Sequence, residues 1–303
     1  MATILDSPQY DSARTLNDSL DVITRFVGIL SILGCIFNIV VTKHLKKTKS
    51  VIGRMVIILA VFDLLNSIPA VLTTIGPATN RFMCEIAGCW LTYFGFASSY
   101  FFTTCFAHSL YHSLETVSIE FAERNYKRYI ALSLVAGLLV GTASVGIGFK
   151  QYISDPNGSM CSTPQFPGLH LGVLFTLIFP GIINLVGCIT YYLLTIRVLK
   201  SLNQKKSWGL LVYPLILVLC ISPALIQRFL FLIGDENVPA IYTQITRALF
   251  GAQGFLNSLA YGLSKEVYEA LRKRCCDQRR GSETLKLSLV YEPSNSKDRL
   301  FTL

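Results

Sequence analysis

Long stretches without charged side chains alternate with short charged segments along most of the chain. Two of these stretches contain one charge each, Asp63 in the second and Arg247 in the seventh. Crossing the hydrocarbon core of a bilayer takes about 20 helical residues, and most of the stretches are long enough. Backbone polar groups in lipid must pair within their own segment, so helices are expected. The seven stretches are residues 26–42, 55–80, 86–114, 129–149, 167–196, 207–227 and 238–262.

This pattern predicts an all-α membrane protein, a seven-transmembrane helix bundle at residues 22–263. The composition agrees, because 52% of the residues are hydrophobic and only 15% are charged. Soluble domains carry about 25% charged residues. One large soluble core is disfavoured, since soluble helices rarely lack a polar face over such lengths.

Basic residues predict which side of the membrane each loop occupies. The first loop, residues 43–54, contains five basic residues and no acid, and further basic residues follow the third, fifth and seventh spans. Short basic loops stay in the cytoplasm, so residues 1–21 form an extracellular tail and the C-terminus is cytoplasmic. The net charge of +9 follows from this topology. A plasma-membrane location is expected, and nucleic-acid binding is not.

Several residues on the predicted outer side suit an oxidising compartment. Asn17 and Asn157 each begin an Asn-x-Ser sequence that accepts N-linked glycans. Cys84 and Cys161 can form a disulfide there, with free thiols or a bond from Cys161 to Cys89 as alternatives. No cleavable signal peptide is visible, so the first span is expected to direct its own insertion.

The last stretch continues as FLNSLAYGLSKEVYEALRKRCC, residues 255–276. Gly262 ends the span, Ser264 can cap a new helix, and apolar residues then recur every fourth position. Basic residues on the same segment suit an anionic membrane surface. We expect a short amphipathic eighth helix at 264–276 on the membrane lipid, with Cys275 and Cys276 palmitoylated. A disordered cytoplasmic tail follows at 277–303.

Asp63 lies in the middle of the second span, where an unpaired carboxylate costs at least about 2.5 kcal/mol. It should therefore face the bundle interior, and its candidate partners are Asn38, Asn66 and Asn257, with Tyr261 in the same network. Two roles remain open. The network is either a switch, with a sodium ion at Asp63 as one form of it, or a hydrogen-bonded link between helices.

Two arginines lie toward the outer ends of the last two spans, Arg228 and Arg247. Guanidinium groups bind phosphate or carboxylate through two parallel hydrogen bonds, so a ligand could bind between them. Alternatively, Arg228 extends to the headgroups or pairs with Asp235 or Glu236. Weaker ligand-binding candidates are Gln227, Gln244, Tyr100, Thr103, Thr104 and His108.

The same residues bear on which functional class the chain belongs to. A retinal protein needs a lysine within its last span, and residues 238–262 contain none. Transporters often show internal repeats, and none is visible here. An enzyme or a metal site would need clustered acids or histidines within the spans, so neither an enzyme nor a cofactor is expected.

Three stretches carry a resemblance to a known family: LAVFDLLNS, WGLLVYPLILVLCISPALIQRF and GFLNSLAYGLSKEV. The chain resembles G-protein-coupled receptors of the cyclic-AMP-receptor-like group, class E, over about residues 26–276. The resemblance implies a disulfide between Cys84 and Cys161. It also implies a heterotrimeric G protein as partner and an extracellular ligand, for which we expect a small, anionic, cyclic-nucleotide-like molecule.

The chain departs from the large rhodopsin-like class. It has HSLYHSLE where that class has Asp-Arg-Tyr, and it lacks the Cys-Trp-x-Pro and Asn-Pro-x-x-Tyr motifs. His112 falls where a receptor of the resembled group carries an arginine, so we include His112 in the switch network. We therefore expect a cell-surface receptor that activates a G protein, with a seven-span transporter or channel as the alternative.

Overall fold

The computed structural model describes residues 8–45, 47–75, 86, 90–148, 177–201, 212–232 and 240–262. For Asn17, Gln244 and Arg247 it describes the helical backbone but not the side chain. Several predicted features lie outside the described residues. They are Cys84, Cys89, Cys161, Asn157, Cys275, Cys276, the surface helix at 264–276 and the tail at 277–303.

Every regular element in the described part of the chain is helical. A short 3₁₀ turn, Lys47–Lys49, connects the first two α-helices. The α-helices are α1 (Pro8–His44), α2 (Val51–Ile75), α3 (Thr92–Glu115), α4 (Glu120–Gly148), α5 (Phe179–Ser201), α6 (Val212–Leu232), α7 (Ala240–Gly251) and α8 (Gln253–Gly262).

Among the residues that the structure describes, four helices are long and apolar enough to cross a membrane: Val22–His44, Val51–Pro69, Glu120–Val145 and Phe179–Ser201. A shorter apolar helix covers Pro214–Leu230. Large apolar side chains such as Phe26, Leu139 and Phe229 lie exposed on the outer faces of these helices, as lipid contact requires. The chain is thus an all-α membrane protein.

Two helix boundaries differ from the predicted spans. Helix α1 begins at Pro8, well before residue 22, because proline suits a first helical turn and the sequence has no glycine until Gly28. The last apolar stretch is divided at Ala252 into α7 and α8. The Ala252 N–H is shared between the carbonyls of Ala248 and Leu249, and its own carbonyl accepts from Leu256, so the break is small.

Helix α3 lies at the centre of the bundle, in contact with α2, α4, α5 and α6. Most of its side chains are buried, including hydroxyls such as Ser98, Ser99 and Thr103. The mean hydropathy of α3 is lower than that of the four long apolar helices. This follows from its position, because a helix surrounded by other helices need not present an apolar face to lipid. Phe96 and Tyr100 belong to one apolar core cluster, and Phe102 and Phe106 belong to another.

Glycines allow the helices to approach closely around this centre. A Cβ atom at Gly95 of α3 would lie only 2.6 Å from the backbone nitrogen of Asn66 in α2. A Cβ atom at Gly254 of α8 would lie 2.5 Å from Ser31 Oγ in α1. Small residues at helix crossings are the usual means of close packing in membranes.

The close contact at Gly95 predicts that one added methyl group at this position destabilises the folded protein. Gly95→Ala should lower the free energy of unfolding by about 1–3 kcal/mol, because the backbone of α2 cannot move away without repacking. The midpoint of thermal unfolding of the purified protein in detergent measures this.

Gly251→Ala is the matched control. The nearest atom to a Cβ there is Val27 Cγ1 at 4.0 Å, and alanine favours a helix, so the midpoint should not fall. Equal midpoints for the two variants would contradict the close approach of α2 and α3.

Candidate functional site

A buried carboxylate joins three helices in the middle of the bundle. Asp63 of α2 is 1% exposed. Its Oδ1 accepts hydrogen bonds from Ser99 Oγ of α3 and from Gln253 Nε2 of α8, the latter at 3.1 Å. Its Oδ2 accepts from Asn257 Nδ2 of α8 at 2.6 Å. Gln253 Nε2 also donates to Ser99 Oγ at 2.9 Å, which closes the cluster. We call these four residues the Asp63 network.

Helical spacing explains how the sequence builds this network. Gln253 and Asn257 are four residues apart on α8, so both amides lie on one face. Gly95 and Ser99 are four residues apart on α3, so the close approach at Gly95 brings the Ser99 hydroxyl within reach of α2. The site therefore depends on a glycine that contributes no polar group.

The three donors to Asp63 are neutral side chains, so hydrogen bonds rather than an ion pair stabilise the carboxylate. A hydrogen bond to a charged group contributes about 1.5–3 kcal/mol, roughly twice a neutral one. Such bonds offset the cost of a carboxylate at this depth. Loss of any one donor should therefore destabilise the whole cluster.

A second set of hydroxyls ties α1 to the same place. Ser67 Oγ donates to the backbone carbonyl of Asp63 at 2.8 Å, and Ser31 Oγ of α1 lies 2.8 Å from Ser67 Oγ. Tyr261 is buried beside Thr42, also on α1. Helix α1 thus contacts the residues next to the Asp63 network on both α2 and α8.

Several buried amide oxygens, two of them in the Asp63 network, have no hydrogen-bond partner among the described residues. They are the side-chain oxygens of Asn38, Asn66, Gln253 and Asn257, all buried. Buried acceptors of this kind are normally satisfied by water or an ion. A carboxylate with amide and hydroxyl oxygens is the set of ligands that a hard cation prefers, so the residues fit a sodium ion. Sodium binding stays a prediction.

His112 and His108 form a separate cluster near the C-terminal end of α3. Their rings lie 4.7 Å apart, and His108 Nδ1 is 2.7 Å from the Tyr129 hydroxyl of α4. His112 Nδ1 lies 3.2 Å from Glu115 Oε2, and its ring lies 4.5 Å from that of Phe121. The structure therefore groups the two histidines with each other, and His112 makes no described hydrogen bond to the Asp63 network.

The predicted ligand-binding residues of α3 have partners of their own. Tyr100 is fully buried against Phe96 and Phe250, with ring centroids 4.2 Å and 6.0 Å away. Thr103 Oγ1 donates to the Ser99 carbonyl at 2.9 Å. Thr104 Oγ1 lies 3.0 Å from Asn184 Oδ1 of α5.

The remaining ligand-binding candidates lie on α6 and α7. On α6, Gln227 is buried and Arg228 is half-buried. Gln244 and Arg247 lie on α7, where only the backbone is described. The ligand-binding role of all these residues stays a prediction.

Ser99 and Gln253 were not predicted as members of the site. Gln253 could have been recognised, because it precedes Asn257 by four residues within an otherwise apolar stretch and must share its face. Ser99 could not, since α3 contains many hydroxyls and only the approach at Gly95 selects this one.

The hydrogen bond between Asn257 and Asp63 predicts strong coupling. Asn257→Ala should lower the free energy of unfolding by about 1–3 kcal/mol, because Asp63 Oδ2 loses its donor. Asp63→Ala together with Asn257→Ala should cost less than the sum of the two single changes, by at least about 0.5 kcal/mol. Unfolding of purified protein in detergent gives the four values of this double-mutant cycle.

Ser133→Ala serves as the control partner in the cycle. Ser133 is buried on α4, outside the network, so its effect should add to that of Asp63→Ala. Simple additivity for Asp63 with Asn257 would show that their hydrogen bond contributes nothing to stability.

Comparison with known proteins agrees with this architecture. The family described as slime mold cyclic AMP receptor matches residues 12–268, which include all four residues of the Asp63 network. Cyclic AMP receptor-like protein A of Dictyostelium discoideum is 26% identical over 309 aligned residues, covering 97% of this chain and 80% of the relative. The family resemblance predicted from the sequence is thereby confirmed, and the chain belongs to the slime mold cyclic AMP receptor family.

Proposed function

We propose that this protein is a seven-span cell-surface receptor that binds an extracellular ligand and activates a heterotrimeric G protein. Family membership over residues 12–268 supports the receptor class. The proposed signalling mechanism rests on the Asp63 network, in which one buried carboxylate accepts hydrogen bonds from α3 and α8.

Helix lengths support seven spans. Besides the four long apolar helices, α3 has 24 residues and α6 has 21, which extend about 36 Å and 32 Å at 1.5 Å per residue. Helices α7 and α8 together cover residues 240–262, or about 34 Å. Each exceeds the thickness of the hydrocarbon core, about 30 Å. Seven spans put the two termini on opposite sides of the membrane, and the basic loops, which stay in the cytoplasm, put the N-terminus outside.

The proposed ligand is small and anionic. Arg228 and Arg247 are the proposed contacts. A charged residue within a span is costly, so such residues are rare and usually have a function. The name of the related cyclic AMP receptor-like protein A also suggests a cyclic nucleotide. The disulfide Cys84–Cys161, the glycans at Asn17 and Asn157, and palmitoylation of Cys275 and Cys276 are proposed with this topology.

Signalling would use two arrangements of the bundle. Both amide donors to Asp63 lie on α8, so a shift of α8 relative to α2 and α3 must break or exchange those hydrogen bonds. A ligand shifts the equilibrium only by its difference in affinity for the two arrangements. The resulting coupling free energy, typically about 1–3 kcal/mol, would appear at the G-protein surface.

Nucleotide exchange tests the proposed function. The full chain, purified and reconstituted in lipid nanodiscs, should accelerate GTPγS binding to a heterotrimeric G protein once an activating ligand is found by a second-messenger screen. Empty nanodiscs with the same ligand are the control. Solute flux through liposomes containing the protein, with no exchange activity, would favour a transporter and contradict the receptor.

A further inference from the structure

Helix α4 presents one continuous face to its surroundings. Leu132, Val135, Leu138 and Leu139 lie on it, and the last is 68% exposed. The opposite face, with Ser133, packs into the bundle, and α4 makes extensive contact with α3. Because α4 is one of the four helices long and apolar enough to span a membrane, its exposed apolar face contacts lipid.

The same face becomes strongly basic toward the first turns of α4. Arg124, Lys127 and Arg128 follow the helical spacing of three and four residues and are exposed. Arg128 lies one turn before Leu132, about 6 Å along the axis. Long basic side chains at such a boundary extend into the headgroup region while their stems stay on apolar surface.

The acidic residues near these three basic side chains leave them available to bind an anion. Glu123 Oε1 lies 3.6 Å from Arg54 Nη2 of α2, so that carboxylate is engaged across the helix interface. Arg128 Nη1 lies 3.5 Å from Asn125 Oδ1, a neutral acceptor. Within the described part of the chain, Arg124, Lys127 and Arg128 form no ion pair. Glu120, one turn earlier and exposed, is the acid that competes on this face.

Helix α4 carries three cations within five positions near its N-terminal end. For comparison, the C-terminal end of α5 carries two, Arg197 and Lys200, and that of α1 carries one lysine, Lys43. Several cations that converge from one helix face are the best binding site for a headgroup phosphate. Each Lys or Arg near an anionic surface increases the affinity for that surface about fivefold.

We propose that Arg124, Lys127 and Arg128 bind the headgroup of an anionic phospholipid whose acyl chains lie along Leu132 and Val135. The charge of the cluster, its continuity with the lipid-facing stripe and its place at the end of a membrane span support this occupant. The proposal does not depend on the identity of the ligand or of the G protein. Its assignment to the inner leaflet rests on the topology proposed above.

Binding of a short-chain lipid tests the proposal directly. The full chain in neutral detergent is titrated with dioctanoyl phosphatidylinositol bisphosphate, and binding is measured by microscale thermophoresis. Replacement of Arg124, Lys127 and Arg128 by Gln should weaken binding at least about tenfold. Glu120→Gln should tighten it by up to about fivefold, because the competing acid is removed. An unchanged affinity in both variants would overturn the proposal.

A charge-matched variant separates a site from general attraction. Replacing Lys43, Arg197 and Lys200 by Gln removes three positive charges from the same side of the bundle, and affinity should fall less than about threefold. Equal losses in the two triple variants would show diffuse attraction and contradict a site on α4.

Two further arms identify the source of the phosphate. Soluble inositol trisphosphate should bind at least about tenfold more weakly than the lipid, because it lacks chains to lie along the stripe. Equal binding would show a soluble phosphate site. If the α4 variant binds lipid normally but loses affinity for purified G protein, the cluster is a protein contact and the lipid site is wrong.

Discussion

The burial of the Asp63 carboxylate fixes the relative placement of α2, α3 and α8. A carboxylate in the interior of a membrane bundle is tolerated only when donors surround it, and here they come from two other helices. Rotation of α8 by one residue would move Gln253 and Asn257 away from Asp63 together, since both lie on one face. The hydrogen bonds therefore specify the rotation of the helices as well as their contact.

Close packing makes this arrangement possible. At Gly95, Gly254 and Gly34, an added Cβ atom would lie 2.5–2.6 Å from atoms of a neighbouring helix. Hydrogen bonds between side chains as short as Ser and Asp require helix axes this close. The apolar clusters around Phe96 and Phe102 flank Ser99 along α3, so the polar layer is enclosed by apolar ones. Exclusion of water strengthens each bond and raises the cost of losing one.

Much of the architecture could be predicted from the sequence, because lipid imposes long apolar helices. The all-helical membrane fold and the family followed from the charge-free stretches and from residues such as those around Asn257. The partnership of Asp63 with Asn257 also followed, since few polar groups in the spans could reach a buried acid. Gln253 was overlooked despite its helical spacing. Ser99 could not be selected, because its role depends on the backbone approach at Gly95. His112 was assigned to the network by family position alone, and the structure groups it with His108 and Glu115.

Hydrogen–deuterium exchange of an Asp63→Leu variant tests most directly whether this carboxylate organises the bundle. Leucine keeps the branched shape of the side chain but replaces both acceptor oxygens by methyl groups, so α8 loses its hydrogen bonds to α2. Amides of residues 253–262 should then exchange faster than in the unaltered protein, while those of α4 should be unchanged. Unaltered exchange in residues 253–262 would contradict the central role of Asp63.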